Sequence, residues 1–388
     1  MRAVWITHGY PRYEGDIAGA FLERLAEALV VRGHRILVVT PSDGGSAGTS
    51  QRGGVEVHRV RYAPASWETL AHRGTLADAI RSTRGLAAFG GLVLAQARAA
   101  SMLARREGAD LFHAHWWVPG GMSARVARTL CGRPYVVTLH GTDVAILARS
   151  AAARLLARRV LRGAAAVTAV SSYLAERAAA VAGLDPAAVS VVPMPVEPPA
   201  CAPSSGGGGV VTVGRLTRQK RVDLILDAIA HLEARGRVLG LTIVGDGVER
   251  PRLEQRAREL KIDGRTRFLG RLAPAAVAAA IQHADVFAFA AEREGFGLAV
   301  AEALMLGIPV AAVRSGGVPE IVPAEGAGRL APEGDSEALA VAIGELLAAS
   351  GSRQSALALG AVWRDRLAAA SVAATFESVY RHVVTGHG

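Results

Sequence analysis

The sequence predicts a doubly wound α/β fold built twice over. Short apolar runs alternate with amphipathic helical stretches from one end of the chain to the other. Several of these runs are apolar throughout, as strands buried on both faces of a parallel sheet are. A stretch rich in proline and glycine interrupts the alternation near the middle, and the pattern then restarts. The length of 388 residues also suits two domains, because single cores stop growing at roughly 250–300 residues.

In the first half, Ala3–Thr7, Ile36–Thr40, Val55–Val60, Leu111–His115, Tyr135–Leu139, Ala166–Val170 and Val189–Val192 read as strands. Between the first two, Ile17–Arg32 carries Phe21, Leu22, Leu25 and Leu29 along one helical stripe. Asp16 is the expected N-cap of that helix and Gly33 closes it. In the second half, Val210–Val213, Leu241–Val244, Arg267–Leu269, Val286–Phe289 and Pro309–Ala312 read as strands. The expected organisation is therefore a first domain over 1–198, a hinge over 199–209, a second domain over 210–368 and a closing helical segment over 369–388. Phe376, Val379 and Tyr380 stand at helical spacing in that last segment. No short-period repeat is present.

Hydrophobic residues make up 51% and charged residues 20%, which excludes a disordered chain. Two cysteines, Cys131 and Cys201, cannot build a disulfide framework or a metal cluster, so a reducing compartment fits. The apolar start, Ala3 to Ile6, is too short for the core of a signal peptide. Leu86 to Ala104 is interrupted by Gln96 and Arg98 and reads as a buried helix rather than a membrane span. A soluble, cytoplasmic protein is expected. The net charge is +10, carried almost wholly by arginine, since Lys220 and Lys261 are the only lysines. Such a field favours anionic partners. Scattered charges and 5% aromatics argue against nucleic acid. The arginine-rich stretch from Arg149 to Arg162 could lie on an anionic bilayer, which would put the protein at the inner face of the membrane. An ordinary packed helix with a solvated arginine face is the simpler reading, because arginine is abundant throughout.

Four segments carry chemistry. Glu292-Arg293-Glu294-Gly295-Phe296-Gly297-Leu298 follows a strand and opens a helix. Its glycines permit a tight turn, and the helix start offers unpaired N–H groups to an anion. Glu302 follows Glu294 by eight residues, at most roughly 12 Å if helical, so one extended ligand could touch both carboxylates. The alternative is a solvated helix start with two unrelated glutamates. Gly214-Arg215-Leu216-Thr217-Arg218-Gln219-Lys220 follows the first strand of the second half and sets a cation cluster at a carboxyl end, where open α/β sheets bind ligands. His140-Gly141-Thr142-Asp143 follows a strand of the first half, and the loop from His8 to Gly19 carries Gly15, Asp16 and Gly19. His113 and His115 share a strand face, but two histidines do not make a metal site. His115 and Trp116, with Asp16 and Asp143, are expected on the acceptor side.

Together these segments resemble glycosyltransferase family 4, the retaining GT-B enzymes, along essentially the whole chain. The carrying residues are Glu294 and Glu302 within Glu-Gly-Phe-Gly-Leu, then Gly307-Ile308-Pro309-Val310, Gly316-Gly317-Val318-Pro319-Glu320, and Gly328 with Pro332-Glu333-Gly334-Asp335. The resemblance implies two Rossmann-like domains facing across a cleft, with the closing helix crossing back to the first. It implies a nucleotide-diphosphate sugar as donor, UDP-linked in preference to GDP-linked, and a hydroxyl acceptor such as a glycan, a lipid-linked glycan or a small metabolite. Glu302 would hold ribose hydroxyls and Glu294 those of the transferred sugar. Arg215, Lys220 and the N–H groups of Gly297 and Leu298 would stabilise the departing diphosphate. Gly214, Gly295 and Phe296 would line the donor site, Gly15 and Gly19 would let their loop approach the ligands, and His140 would contact the sugar. No Asp-x-Asp pair is present to hold a metal, and no cofactor is expected. Ala290-Ala291 and Pro193-Met194-Pro195-Val196-Glu197 depart from the family's usual Pro-Ser and Pro-Asn-Gly-Val-Asp. A nucleotide-sugar epimerase or hydrolase of the same fold, or a non-catalytic binding subunit, are the competing readings. The second would be expected to have lost the charged positions, which are all present.

Overall fold

Runs of valine, leucine and alanine too short for helices pair as parallel strands in both halves of the chain. A computed structural model describes all residues except 17, 46, 72–81, 149, 198–205, 323–324 and 387–388. It divides into two units, Met1–Pro195 with Ala369–Gly388, and Val196–Ala368. Most of the hinge expected at 199–209 therefore lies outside the described residues, as does Arg149.

The first unit contains β1 (Arg2–Ile6), β2 (Arg35–Pro41), β3 (Gly48–Arg52), β4 (Val55–Val60), β5 (Leu111–His115), β6 (Tyr135–Leu139), β7 (Ala166–Ala169) and β8 (Val189–Val191). Their order is β3-β4-β2-β1-β5-β6-β7-β8. Every pairing is parallel except β3 with β4. The chain winds outward in one direction from β1 and in the other from β5, so the two strands flank a switch point. Loops at the carboxyl ends there are the natural binding positions. Two strands have no counterpart in the sequence expectation, β3 here, joined to β4 by a turn at Gly53-Gly54, and one in the second unit. β3 reads Gly-Thr-Ser-Gln-Arg, is mostly exposed and pairs on one side only, so it carries no apolar signal.

Asp16 is not the N-cap of the first helix. That helix runs Ala20–Val31, behind Gly19 at φ 78°. A Cβ on Gly19 would lie 2.4 Å from the Gly9 carbonyl oxygen, so only glycine lets the loop fold back there. Asp16 instead organises the loop. Its Oδ2 accepts from Arg12 N at 3.1 Å and Arg12 Nε at 2.7 Å, and its Oδ1 accepts from Ala18 N at 3.2 Å.

The helix Thr83–Glu107 is long and apolar enough by length and composition to cross a membrane, and 44% of its most apolar window is buried within the protein. Leu92, Ala97 and Ala100 pack inward. Gln96, also buried, donates to Thr7 O at 2.7 Å and accepts from Ser123 Oγ at 3.2 Å. The polar residue that interrupts the apolar run is thus satisfied inside the unit.

The closing helix, Ala369–Thr385, belongs to the first unit and buries Phe376, Tyr380 and Val383. Tyr380 Oη accepts from Trp5 Nε1 at 3.0 Å and lies 2.6 Å from His113 Nδ1. His113 Nε2 lies 2.7 Å from Thr138 Oγ1, itself 2.6 Å from Thr168 Oγ1. Tyr380→Phe will leave the indole and imidazole without their shared partner in a sealed core. A loss of about 2 kcal/mol is expected in urea unfolding; an unchanged midpoint would contradict it.

The second unit contains β9 (Val210–Val213), β10 (Leu241–Val244), β11 (Thr266–Gly270), β12 (Val286–Phe289), β13 (Val310–Val313) and β14 (Gly328–Ala331), in the order β11-β10-β9-β12-β13-β14, all parallel. β14 is the other strand the sequence expectation lacks; it is a half-buried edge with Gly and Arg in it. Entering β9, the Asp285 carboxylate accepts from Gly207 N at 2.7 Å and Gly209 N at 2.9 Å. The switch point of this sheet lies between β9 and β12.

Candidate functional site

The loops that leave β9 and β12 are bonded to each other. Glu292 N donates to Gln219 O at 2.8 Å and Gln219 Nε2 to Glu292 O at 3.2 Å, while the Arg221 guanidinium pairs with the Glu292 carboxylate. Lys220 Nζ lies 2.6 Å from Glu294 Oε2 and 5.1 Å from the centre of the Phe289 ring. The carboxylate and the lysine singled out in the sequence thus meet across the switch point. Arg215 is exposed, and its guanidinium has no partner among the described residues. Gly214 N donates to Val244 O at 3.0 Å, which anchors the start of the cationic loop.

Gly297, at φ 103°, turns the chain into the helix Leu298–Met305. Its carbonyl takes the N–H groups of Val300 and Ala301, and the N–H groups of Gly297 and Leu298 have no partner among the described residues. They form the positive end of the helix. Glu302 stands half-buried in its second turn and Gly295 is buried. Phe296 corrects the expectation for its side chain. The ring is 6% exposed and packs edge-on against Trp363, with centroids 5.9 Å apart, so it anchors the loop from beneath rather than lining a ligand.

Two further segments hold this arrangement. Gly317 N donates to Glu294 O at 2.9 Å, Arg293 N donates to Ser315 Oγ at 2.7 Å, and that hydroxyl donates to Glu333 Oε1 at 3.0 Å. A Cβ on Gly316, at φ 60°, would lie 2.0 Å from the Glu294 carbonyl oxygen. Gly316→Ala will therefore displace the Glu294 backbone. About a 100-fold loss of turnover is expected, the cost of an ångström-scale misplacement; turnover near wild type would refute it. The sequence reading passed over Gly245-Asp246-Gly247. Cβ atoms there would lie 2.0 Å from Gly214 O and 2.3 Å from Leu216 O, and Leu216 N donates to Asp246 O at 3.0 Å. Two glycines flanking an aspartate directly after a strand were the available signal.

In the first unit, an aromatic cluster forms at the carboxyl ends of β5 and β6. The Trp116 ring lies 4.5 Å from that of His8 and 4.3 Å from that of His140, with Phe21 5.4 Å from His140. His115 Nδ1 lies 3.2 Å from His140 Nε2. Asp143 Oδ1 accepts from His140 N at 3.2 Å and Gly141 N at 3.0 Å, and its Oδ2 accepts from Trp117 N at 3.1 Å. Burial raises the Asp143 pKa against those bonds, which lower it. Burial likewise pushes His140 and His115 well below the ordinary histidine value, helped by neighbouring imidazoles, so both rings are neutral at pH 7.

Of the residues expected on the acceptor side, Trp116 is half-exposed. His115 is fully buried and Asp143 is 1% exposed, so neither lines a surface; each acts on the loop that carries His140. Asp16 holds Arg12, and Gly15, at φ 83°, is exposed with open space around it. In the helix Ala151–Gly163, Ala157, Val160 and Leu161 are buried, and Leu155 and Leu156 are exposed beside arginines. Among the described residues, no three His, Cys, Asp or Glu side chains group as a metal site.

Residues 18–195 match the glycosyl transferase 4-like domain and residues 205–358 match glycosyl transferases group 1. The chain is 28% identical over 262 residues to the N-acetyl-alpha-D-glucosaminyl L-malate synthase of Bacillus anthracis, covering 64% of this chain and 68% of that protein. It is 27% identical over 366 residues to the GDP-mannose-dependent alpha-(1-6)-phosphatidylinositol monomannoside mannosyltransferase of Mycolicibacterium smegmatis, covering 88% of each. The fold matches sucrose-phosphate synthase from Thermosynechococcus elongatus with a TM-score of 0.78, at 21% identity and over 100% of both chains. It also matches Anabaena HepE in complex with UDP and glucose, with a TM-score of 0.72, 21% identity and 98% and 99% coverage.

Proposed function

The chain belongs to glycosyltransferase family 4, a GT-B glycosyltransferase, and on that premise we propose that it moves a hexose, with retention of configuration, from a nucleotide-diphosphate sugar to a hydroxyl acceptor. The observation that supports this most is the meeting of Lys220 and Glu294 at the β9/β12 switch point, in loops that also carry Arg215 and the N–H groups of Gly297 and Leu298, none of which has a partner among the described residues. Cations and a helix start suit a diphosphate; carboxylates suit sugar hydroxyls.

In this reading Arg215, Lys220 and the helix start stabilise negative charge as the diphosphate leaves, and such preorganised donors are commonly the largest catalytic contribution. Glu294 and Glu302 hold the donor's hydroxyls. His140 is neutral and hydrogen-bonds the transferred sugar. No protein nucleophile is assigned; the leaving phosphate takes the acceptor's proton on the face it vacates. The donor is a UDP-sugar in preference to a GDP-sugar; one neighbour of similar fold is a complex with UDP-glucose, and one relative is named as GDP-mannose-dependent.

Calorimetric titration of the purified chain with UDP, GDP, ADP and dTDP, without added metal, tests the donor site. Tight binding of one nucleotide is expected; binding of none by a folded sample would refute the reading. Because arginine, lysine and a helix start can neutralise the diphosphate, excess EDTA is expected to leave turnover within about twofold. Full loss in EDTA, restored by a divalent cation, would contradict metal independence.

A further inference from the structure

His115 is the one member of the cluster around His140 that is wholly buried, and nothing in the mechanism uses it. Its ring is packed between Trp5, 4.6 Å away by centroid, and His113, 4.1 Å away. His113 spends both nitrogens elsewhere, on Tyr380 Oη and Thr138 Oγ1. His115 Nδ1 has a single partner, His140 Nε2 at 3.2 Å, and His115 Nε2 has none inside the core. His140 Nδ1 has no protein partner among the described residues and is not sealed in.

We propose that His115 is a positioning residue that fixes the tautomer of His140, donating its Nδ1–H to His140 Nε2 so that the proton of His140 sits on Nδ1. A neutral imidazole has one N–H and one lone pair. Were His115 protonated on Nε2, a buried donor would be left without an acceptor, which is rarer and more costly than a buried lone pair. The proton therefore sits on Nδ1, where an acceptor exists. His140 Nε2 must then supply the lone pair, and its own proton goes to the nitrogen that faces outward. His140 thus presents a hydrogen-bond donor, suited to the oxygen of a sugar hydroxyl, and has no outward lone pair for a cationic ring carbon. That consequence for the sugar rests on the proposed function; the tautomer itself does not.

Long-range ¹H–¹⁵N correlation spectra of the histidine-labelled full chain at neutral pH test it, with His140 assigned by the loss of its signals in His140→Asn. The expected pattern for His140 is the Nδ1–H form. The Nε2–H form in the wild type overturns the proposal, whatever the variants do. In His115→Asn the side-chain amide N–H replaces the Nδ1–H, and the His140 pattern is expected to persist with kcat near wild type. In His115→Phe the donor is gone. His140 should move to a mixed or Nε2–H pattern, and kcat should fall about 10–100-fold with donor KM little changed, as when an orienting partner is lost at other sites. A His140 pattern unchanged in His115→Phe also overturns the proposal. If the spectra behave as expected while His140→Asn and His115→Phe both turn over normally, the tautomer assignment stands and the role given to His140 in transfer fails.

Discussion

Glu294→Gln will lower kcat for sugar transfer by about 100–1000-fold, the scale on which one preorganised polar contact to the reacting group counts. It will leave the fold intact, because the contacts that seat the loop are made by the Glu294 backbone to Gly317 and by the Phe296 ring to Trp363, not by the carboxylate. The same substitution removes the only ion-pair partner that Lys220 has among the described residues. In the free protein that pair neutralises the lysine. With glutamine in place, the ammonium is released toward an incoming diphosphate and a nearby negative charge is gone. Nucleoside diphosphate affinity is therefore expected to hold or tighten while turnover collapses. Lys220→Ala should do the reverse and weaken diphosphate binding along with turnover. A purified Glu294→Gln protein with turnover near wild type, or one that loses nucleotide affinity in step with turnover, would remove Glu294 from the sugar site.

This site was legible from sequence for a physical reason. Each of its parts follows a buried apolar strand, and the strand-to-helix turns carry glycine where left-handed geometry demands it, as at Gly297. β4, β5, β6, β9, β10 and β12 have the bounds that their apolar runs predict. What the sequence did not disclose has little periodic signal. β3 and β14 are edges whose residues face water or pair on one side. Asp16 looked like a cap because a short polar residue precedes a helical stripe, but the glycine at position 19 moved the helix start past it. Gly245-Asp246-Gly247 supports Gly214–Leu216 through backbone contact between segments about thirty residues apart, which no local pattern encodes. Burial was the other blind spot. A histidine after a strand reads the same whether it is open, as His140 is in part, or sealed beneath it, as His115 is.

Sealed histidines give the first unit a steep acid limit. Burial pushes His113 down to about 3 and holds His115 well below the ordinary value, with His34 lowered by burial and by the nearby N-terminal amine. In the unfolded chain all three return to about 6.5. A depressed folded pKa means the unfolded state binds the proton first. The stability such a group leaves intact is present above pH 6.5 and lost as pH falls toward the folded value. For His113, fully buried, the loss at pH 5 is about 2 kcal/mol relative to pH 7.5, at about 1.4 kcal/mol per pH unit, and His115 adds to it in the same direction. Asp143 runs the other way. Its raised pKa favours the protonated native form, so its contribution is present below the unfolded carboxyl value and lost as pH rises through the folded one. As pH falls it therefore offsets part of what the histidines lose. Urea unfolding followed by tryptophan fluorescence is expected to show the first unit losing at least about 2 kcal/mol between pH 7.5 and pH 5. His113→Gln, which is weaker at pH 7.5 through its altered bonds to Tyr380 and Thr138, should show a shallower slope by about one proton. Equal stability at pH 5 and pH 7.5 would mean that water reaches these rings, and that the seal over His115 and His113 is looser than their burial shows.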